Sequence, residues 1–252
     1  MIALPRRYAI VPLFMGAIYV TVGQVIELGP FHFTMVRLLI AVGAVRVVLR
    51  GERILGGLNG LDKLMVLWAV WAVFSSLFHK KPVNAMVYML GITYTGLGSY
   101  FLIRIFVRDL EEFLMVIKIV IIMLAPVALE MVVEKLTSKN AFSVFGYLTE
   151  ASNVRHGKIR AQGAFAHAIL AGTVGACCMP FAALLWRRHR KLALLGFVVT
   201  FTMILTSASS GPILTTIVVL GALGAWKVRS QLRLLIWGCI VGLVALDLVM
   251  ND

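Results

Sequence analysis

The sequence predicts an all-α, polytopic integral membrane protein of about nine transmembrane helices. Three observations carry that prediction. Of 252 residues, 61% are hydrophobic and only 14% charged, against roughly 45–50% apolar and about 25% charged in a soluble domain. The apolar residues come in long runs, several of which reach the roughly 20 residues a helix needs to cross a bilayer core. The formal net charge of +13 is carried by short basic clusters between those runs. No stretch alternates with period two, so a closed barrel is excluded and helices remain as the structure that satisfies backbone groups in lipid. Nucleic acid is excluded as a main partner, because no soluble basic domain carries the charge. Membrane lipids are the partners that the composition implies.

The first run, Tyr8–Leu28, is longer than the roughly 7–15 apolar residues of a signal peptide. It reads as a retained helix, leading through Gly29-Pro30 into a second at Phe31–Leu49. Further spans are expected at Leu64–Phe78, Ala85–Val107, Phe113–Val133, Gly163–Trp186, Leu192–Thr206, Pro212–Trp226 and Leu234–Met250, forming one transmembrane helical domain over residues 1–252. The third and seventh are short. Gly238 and Gly242 in the ninth have the small-xxx-small spacing of helix packing. Cys177, Cys178 and Cys239 lie inside apolar runs, with no disulfide framework and no zinc-like spacing. No metal is expected.

Lysine and arginine set the orientation. With the N-terminus cytoplasmic, the inner segments hold fifteen basic residues, the outer segments seven, and Arg37 and Lys118 fall within spans. Most of the positive charge therefore marks topology, and the C-terminus falls on the outer side. Five of the seven outer basic residues lie in one loop, residues 135–162, the only long hydrophilic stretch. Loops beyond about 12–15 residues are usually functional or disordered. Lys139–Tyr147 carries aromatics suited to the bilayer interface; Asn153–Arg160 is basic.

Ionisable groups at membrane depth are functional candidates. Arg37 lies roughly two turns below the outer end of its span, and Glu27 is the nearest acidic residue in sequence, so a Glu27–Arg37 pair is expected. Glu130 and Glu134, four apart, share a helix face at the outer end of the fifth span; they suit acid–base work, a metal or sugar hydroxyls, or simply a solvated helix end. Arg155, Lys158 and Arg160, with His156, form a basic run beside a helix start, the setting of an anion site. His167 opens the sixth span, where a hydrogen-bonded structural role is the simpler reading. Thr206–Pro212, including Ser209 and Ser210, is a polar turn that could bind an oxygen-rich ligand or cap the next helix. All of these candidates, with Asp247, map to the outer half.

The stretch Arg160-Ala161-Gln162-Gly163-Ala164-Phe165-Ala166-His167 resembles the R-x-x-G-x-F-x-H segment of the bacterial O-antigen ligase and polymerase family. Downstream, Leu205-Thr206-Ser207-Ala208-Ser209-Ser210-Gly211-Pro212 is similar to that family's L-T-x-S-R-G turn. The motif resemblance covers about Arg155–Trp226. It implies a multi-pass protein of the bacterial inner membrane, with its C-terminus periplasmic, that transfers or polymerises an undecaprenyl-diphosphate-linked glycan on the periplasmic face. Its partners would be the polyprenyl-diphosphate-linked glycan and a glycan or lipid acceptor, and no cofactor would be needed. Arg160 would contact the carrier diphosphate, supported by Arg155, Lys158 or Arg37, with His167 positioning substrate. Ser210 stands where many members have a second arginine. Members also continue into a large periplasmic loop, so the chain is expected to be the N-terminal part of such a fold. A transporter or flippase for an anionic lipid or solute, or a non-catalytic scaffold, are the alternatives.

Overall fold

The computed structural model describes residues 1–21, 23–28, 31–155, 157–231 and 237–238. Eight α-helices dominate them: α1 Val11–Tyr19, α2 Met35–Arg50, α3 Gly60–Ser75, α4 Pro82–Phe106, α5 Leu110–Thr137, α6 Ala168–Leu185, α7 Arg190–Thr206 and α8 Ser210–Ala225. Two short hairpins interrupt them, β1 Val25–Leu28 with β2 Phe31–Thr34, and β3 Asn153–Arg155 with β4 Lys158–Arg160, each antiparallel.

Four helical segments among the described residues are long and apolar enough to cross a membrane: Gly60–Phe78, Pro82–Phe106, Leu110–Thr137 and Ala168–Leu185. The chain is thus a helical membrane protein by length and composition. The expected first span is corrected. Among its described residues the α-helical part is Val11–Tyr19, and 9 residues rise about 13.5 Å, too little for that helix alone to cross a bilayer core. Val20, Thr21 and Gly23 then leave the helix and Val25–Leu28 pairs with Phe31–Thr34, consistent with the poor helix propensity of β-branched residues and glycine. The second span is shortened too, because its first four residues form β2. The ninth span lies outside the described residues apart from Trp237 and Gly238, as do Gly29-Pro30, His156, Cys239 and Asp247.

Helix ends follow local chemistry. Asn59 and Asp62 form a reciprocal capping box at the start of α3. Asp109 accepts the Glu112 amide at the start of α5, whose first turn is acidic, as the helix dipole favours. Gly51 closes α2 at φ +61°, a left-handed position that glycine adopts without strain.

α5 organises the packing. Its buried residues Leu114, Ile117, Ile121, Leu124, Ala128 and Met131 recur at intervals of three and four, an amphipathic stripe. Leu124, Ala128 and Met131 join α1, α6 and α7 in one cluster, Leu114, Ile117 and Ile121 join α6 and α7 in a second, and Val116 joins α1, α2 and α4 in a third. α6 presents small residues to α7. A Cβ on Gly175 would stand 2.9 Å from the Thr200 carbonyl oxygen, and one on Gly196 would stand 2.7 Å from the Ala182 Cβ. Glycine at both points is what permits this close helix approach.

The helices give the bundle two ends. Arg6 reaches the end of α4 and the start of α5, Arg46 clasps the N-terminal residues, and Arg104 meets Asp62 at the start of α3; this is the arginine end. At the other, the loop end, α5 finishes beside β4, the entrance to α6 and the end of α7.

Candidate anion-binding site

The loop end is built on Glu134, in the last turn of α5. It is fully buried, which overturns the solvated-helix-end reading. Its carboxylate accepts the backbone amides of Gln162 and Gly163 at 2.9 Å each, and the Ser152 hydroxyl at 3.1 Å. Glu130, one turn earlier, accepts the Ala141 amide at 2.9 Å. The two carboxylates thus act as anchors for the loop backbone. Asn140, also buried, donates to the Gly163 carbonyl at 2.9 Å and accepts from the Phe142 amide. Two side chains, Glu134 of α5 and Asn140 of the loop, therefore fix the segment Gln162-Gly163, and Gly163 itself sits at φ +58°. A left-handed residue packed this closely against Val127 and Met131 requires glycine.

This anchoring delivers Arg160. The Ala161 amide donates to the Thr206 carbonyl at 3.1 Å. The strand-to-helix segment beginning at Arg160 is thereby joined to the turn following α7, although the two lie far apart in sequence. Lys135 donates to the neighbouring Leu205 carbonyl. Ala208 in that turn has φ +44°, a left-handed conformation that is costly for alanine and tends to occur near functional sites. Ser209 occupies the N-cap position of α8 but makes no side-chain cap, and Ser210 is exposed on the first turn.

On the hairpin, Arg155 pairs with Lys158 and Asn153 with Arg160. Alternation along a strand puts Arg155, Lys158 and Arg160 on one face, with Val154 and Ile159 on the other. Like charges directly opposite one another destabilise a hairpin. Arg155 and Lys158 are exposed and Arg160 is half-buried. None of the three has a carboxylate within 4.0 Å among the described residues. The buried side-chain polar atoms left without a partner among those residues are Glu130 Oε2 and Arg160 Nε. Such atoms cost about 1–3 kcal/mol each, and they mark a place where a further polar group would be stabilised.

His167 is the N-cap of α6, its Nδ1 accepting the Leu170 amide at 3.1 Å. With Nδ1 an acceptor, the neutral ring carries its proton on Nε2. The imidazole is exposed, so capping leaves that N–H available to a ligand.

Arg37 is not brought to this cluster. Its Nε donates to Thr95 Oγ1 at 3.3 Å, Nη1 donates to the His32 carbonyl, and its own carbonyl accepts the Tyr94 hydroxyl. The expected Glu27–Arg37 pair is corrected: Glu27 instead faces His32 Nδ1 at 3.6 Å. The hairpin pairs Glu27 with His32 across the strands, while Arg37, already in α2, points to α4. Asn140 and the Thr206 carbonyl also build the site. Neither has a local signal, because each acts through a contact made only in the folded chain.

Chemically, the loop end offers one half-buried guanidinium with two further cations on its face. Nearby, Glu134 is occupied by two amides and a hydroxyl and Glu130 by one amide on Oε1, and serine hydroxyls lie on the adjoining turn. That combination suits an anion rich in oxygen. Among the described residues, no group of three or more His, Cys, Asp or Glu is placed to hold a metal ion. No protein-family model, curated protein or solved structure was found to match this chain.

Proposed function

We propose that this is a membrane glycosyltransferase-like protein of the O-antigen ligase or polymerase kind. In this reading it is a multi-pass protein of the bacterial inner membrane, with its arginine end cytoplasmic and its loop end periplasmic. It transfers or polymerises an undecaprenyl-diphosphate-linked glycan on the periplasmic face. The observation that carries the reading is the Ala161–Thr206 hydrogen bond. It joins the two segments on which the resemblance rests, and leaves Arg160 beside their junction with its Nε unpartnered among the described residues. Arg160 binds the carrier diphosphate and stabilises the charge that develops on it as the glycan leaves, a role suited to a fixed donor in a low-dielectric site. Arg155 and Lys158 attract the same anion from the hairpin face. The exposed Nε2 of His167, with Ser209 and Ser210, orients the sugar.

The test is Arg160→Ala in cells whose only copy of the protein carries the change, with surface glycan read on gels and protein abundance checked by immunoblot. Loss of transferred glycan at normal abundance is expected. Arg160→Lys should recover only part, because an ammonium lacks the planar fork. Normal glycan with Arg160→Ala would remove Arg160 from the site. Orientation is checked separately by single cysteines in a cysteine-free background: Gly157→Cys should react with an impermeant thiol reagent from outside, and His189→Cys should not.

A further inference from the structure

We propose that the groove between α3 and α4 is a binding site for one anionic phospholipid, with an acyl chain along the groove and the phosphate on Arg37. The groove has a volume of about 730 Å³ and is walled by Val70, Val73 and Phe74 of α3, by Leu77 in the turn just after it, and by Leu90 and Leu97 of α4, among others. Its polar side chains are already occupied. Thr93 Oγ1 donates to the Met89 and Leu90 carbonyls of its own helix, and the Tyr94 hydroxyl donates to the Arg37 carbonyl. Such a surface offers nothing to water and suits a hydrocarbon chain.

Leu90 and Tyr94 also line a second cavity, of about 300 Å³, that contains His32, Phe33, Arg37 and Gly91. The apolar groove therefore runs into a compartment holding a guanidinium. Arg37 has no carboxylate within 4.0 Å among the described residues, because Glu27 is engaged by His32. Its Nη2 lies over Gly91, where a Cβ would stand only 2.3 Å away. Glycine at 91 is what lets the guanidinium lie flat against α4, at the mouth of the groove. With Nε on Thr95 and Nη1 on the His32 carbonyl, Nη2 is the nitrogen with no hydrogen-bond partner among the described residues, and it is left to donate to a phosphate oxygen. A single guanidinium matches the single negative charge of a phosphodiester. The diphosphate of the proposed glycan carrier is matched instead by the three cations at the hairpin, with which Arg37 shares no hydrogen bond.

The experiment uses the full chain purified in mild detergent and incubated with equal amounts of dioleoyl phosphatidylglycerol and dioleoyl phosphatidylcholine. Intact-complex mass spectrometry then counts the lipids retained. One phosphatidylglycerol per chain is expected, in preference to phosphatidylcholine. Arg37→Gln should lower its retention about tenfold, the ratio for loss of one charge-assisted bond of ~1.4 kcal/mol. Gly91→Ala keeps the charge but displaces the guanidinium, and should lower retention in a chain that elutes normally on size exclusion. Val73→Trp fills the groove and should lower retention of both lipids. Equal retention of the two lipids by the native chain, or unchanged retention after Arg37→Gln, would overturn the proposal. So would displacement of the phospholipid by an equimolar amount of undecaprenyl phosphate, which would assign the groove to the glycan carrier. No glycan enters this measurement, so its outcome is independent of the Arg160 test.

Discussion

The two ends of the bundle use arginine in opposite ways. At the arginine end, carboxylates and guanidinium groups neutralise each other: Arg6 with Glu112, Arg46 with Glu52, Arg104 with Asp62 and Arg188 with Glu111. At the loop end Glu130 and Glu134 are bound by amides and a hydroxyl, while Arg155, Lys158 and Arg160 face no carboxylate among the described residues. The exposed Lys139–Glu150 pair at 3.0 Å is the exception, and it closes the loop without touching the hairpin cations. Four guanidinium groups are therefore structural at one end, beside cations such as Arg7, Arg50 and Arg108 that meet no carboxylate among the described residues, while the three hairpin cations at the other end are uncompensated. Composition alone makes the two look alike.

The largest expected effect lies at the arginine end. Arg46 is fully buried, forms a two-point contact with Glu52 at 2.9 and 3.1 Å, and donates to the carbonyls of Met1, Ile2 and Leu4. Arg46→Ala would leave a carboxylate and several carbonyls without their partner. Removing one member of a buried pair costs about 3–5 kcal/mol. Thermal unfolding in detergent should show a large fall in Tm, and lipid and glycan binding by the fraction still folded should be unchanged. A small change would mean that this end is not held together by its ion pairs.

Next in size is Glu134→Ala. It removes the acceptor for two backbone amides and one hydroxyl, each unsatisfied buried donor costing about 1–3 kcal/mol. Besides a lower Tm, limited proteolysis should cut residues 139–160 faster, because the anchor of the loop is gone. Glu134→Gln keeps a carbonyl acceptor and should fall between the two. Protease sensitivity unchanged by Glu134→Ala would mean that the loop is anchored without it.

These two residues show how far sequence reading reaches. The apolar runs of α3 to α8, the long loop and the basic hairpin segment were all legible, because each is a local property of composition. The β3–β4 hairpin also has a sequence signal, weaker than the hydropathy around it: Val154 and Ile159 alternate with polar and basic residues on either side of Gly157, which takes φ +71°, the pattern of a short hairpin connection. The break after Tyr19 was visible as a β-branched, glycine-containing run, but hydropathy outweighed it. Glu134 against Gly163, Arg46 against Met1 and Arg37 against Thr95 were not legible. Each partner lies 29 to 58 residues away, beyond any periodicity. The residues of the candidate site were visible one by one, but their junction at Ala161 and Thr206 was not.

Arg160→Ala sharpens the contrast with Arg46. Its Nε is buried and unpartnered, and no ion pair is lost with it among the described residues. Removing that unpartnered donor should leave stability unchanged or raise it by up to about 1–3 kcal/mol, while glycan transfer disappears. A fall in Tm as large as that of Arg46→Ala would erase the distinction between the two ends and make Arg160 a structural residue.

The smallest stability effect carries an informative sign. Lys158 stands directly opposite Arg155, and Lys158→Glu turns that repulsion into an attraction worth a few tenths of a kcal/mol at an exposed position. The variant should be marginally more stable, with slower proteolysis at the hairpin, and yet poorer in glycan transfer. A gain in stability together with a loss of function distinguishes a repulsive arrangement kept for a ligand from one kept for the fold. If Lys158→Glu instead lowers stability, the hairpin cations take part in the folded network after all. If it leaves transfer intact, the anion is held by Arg160 alone.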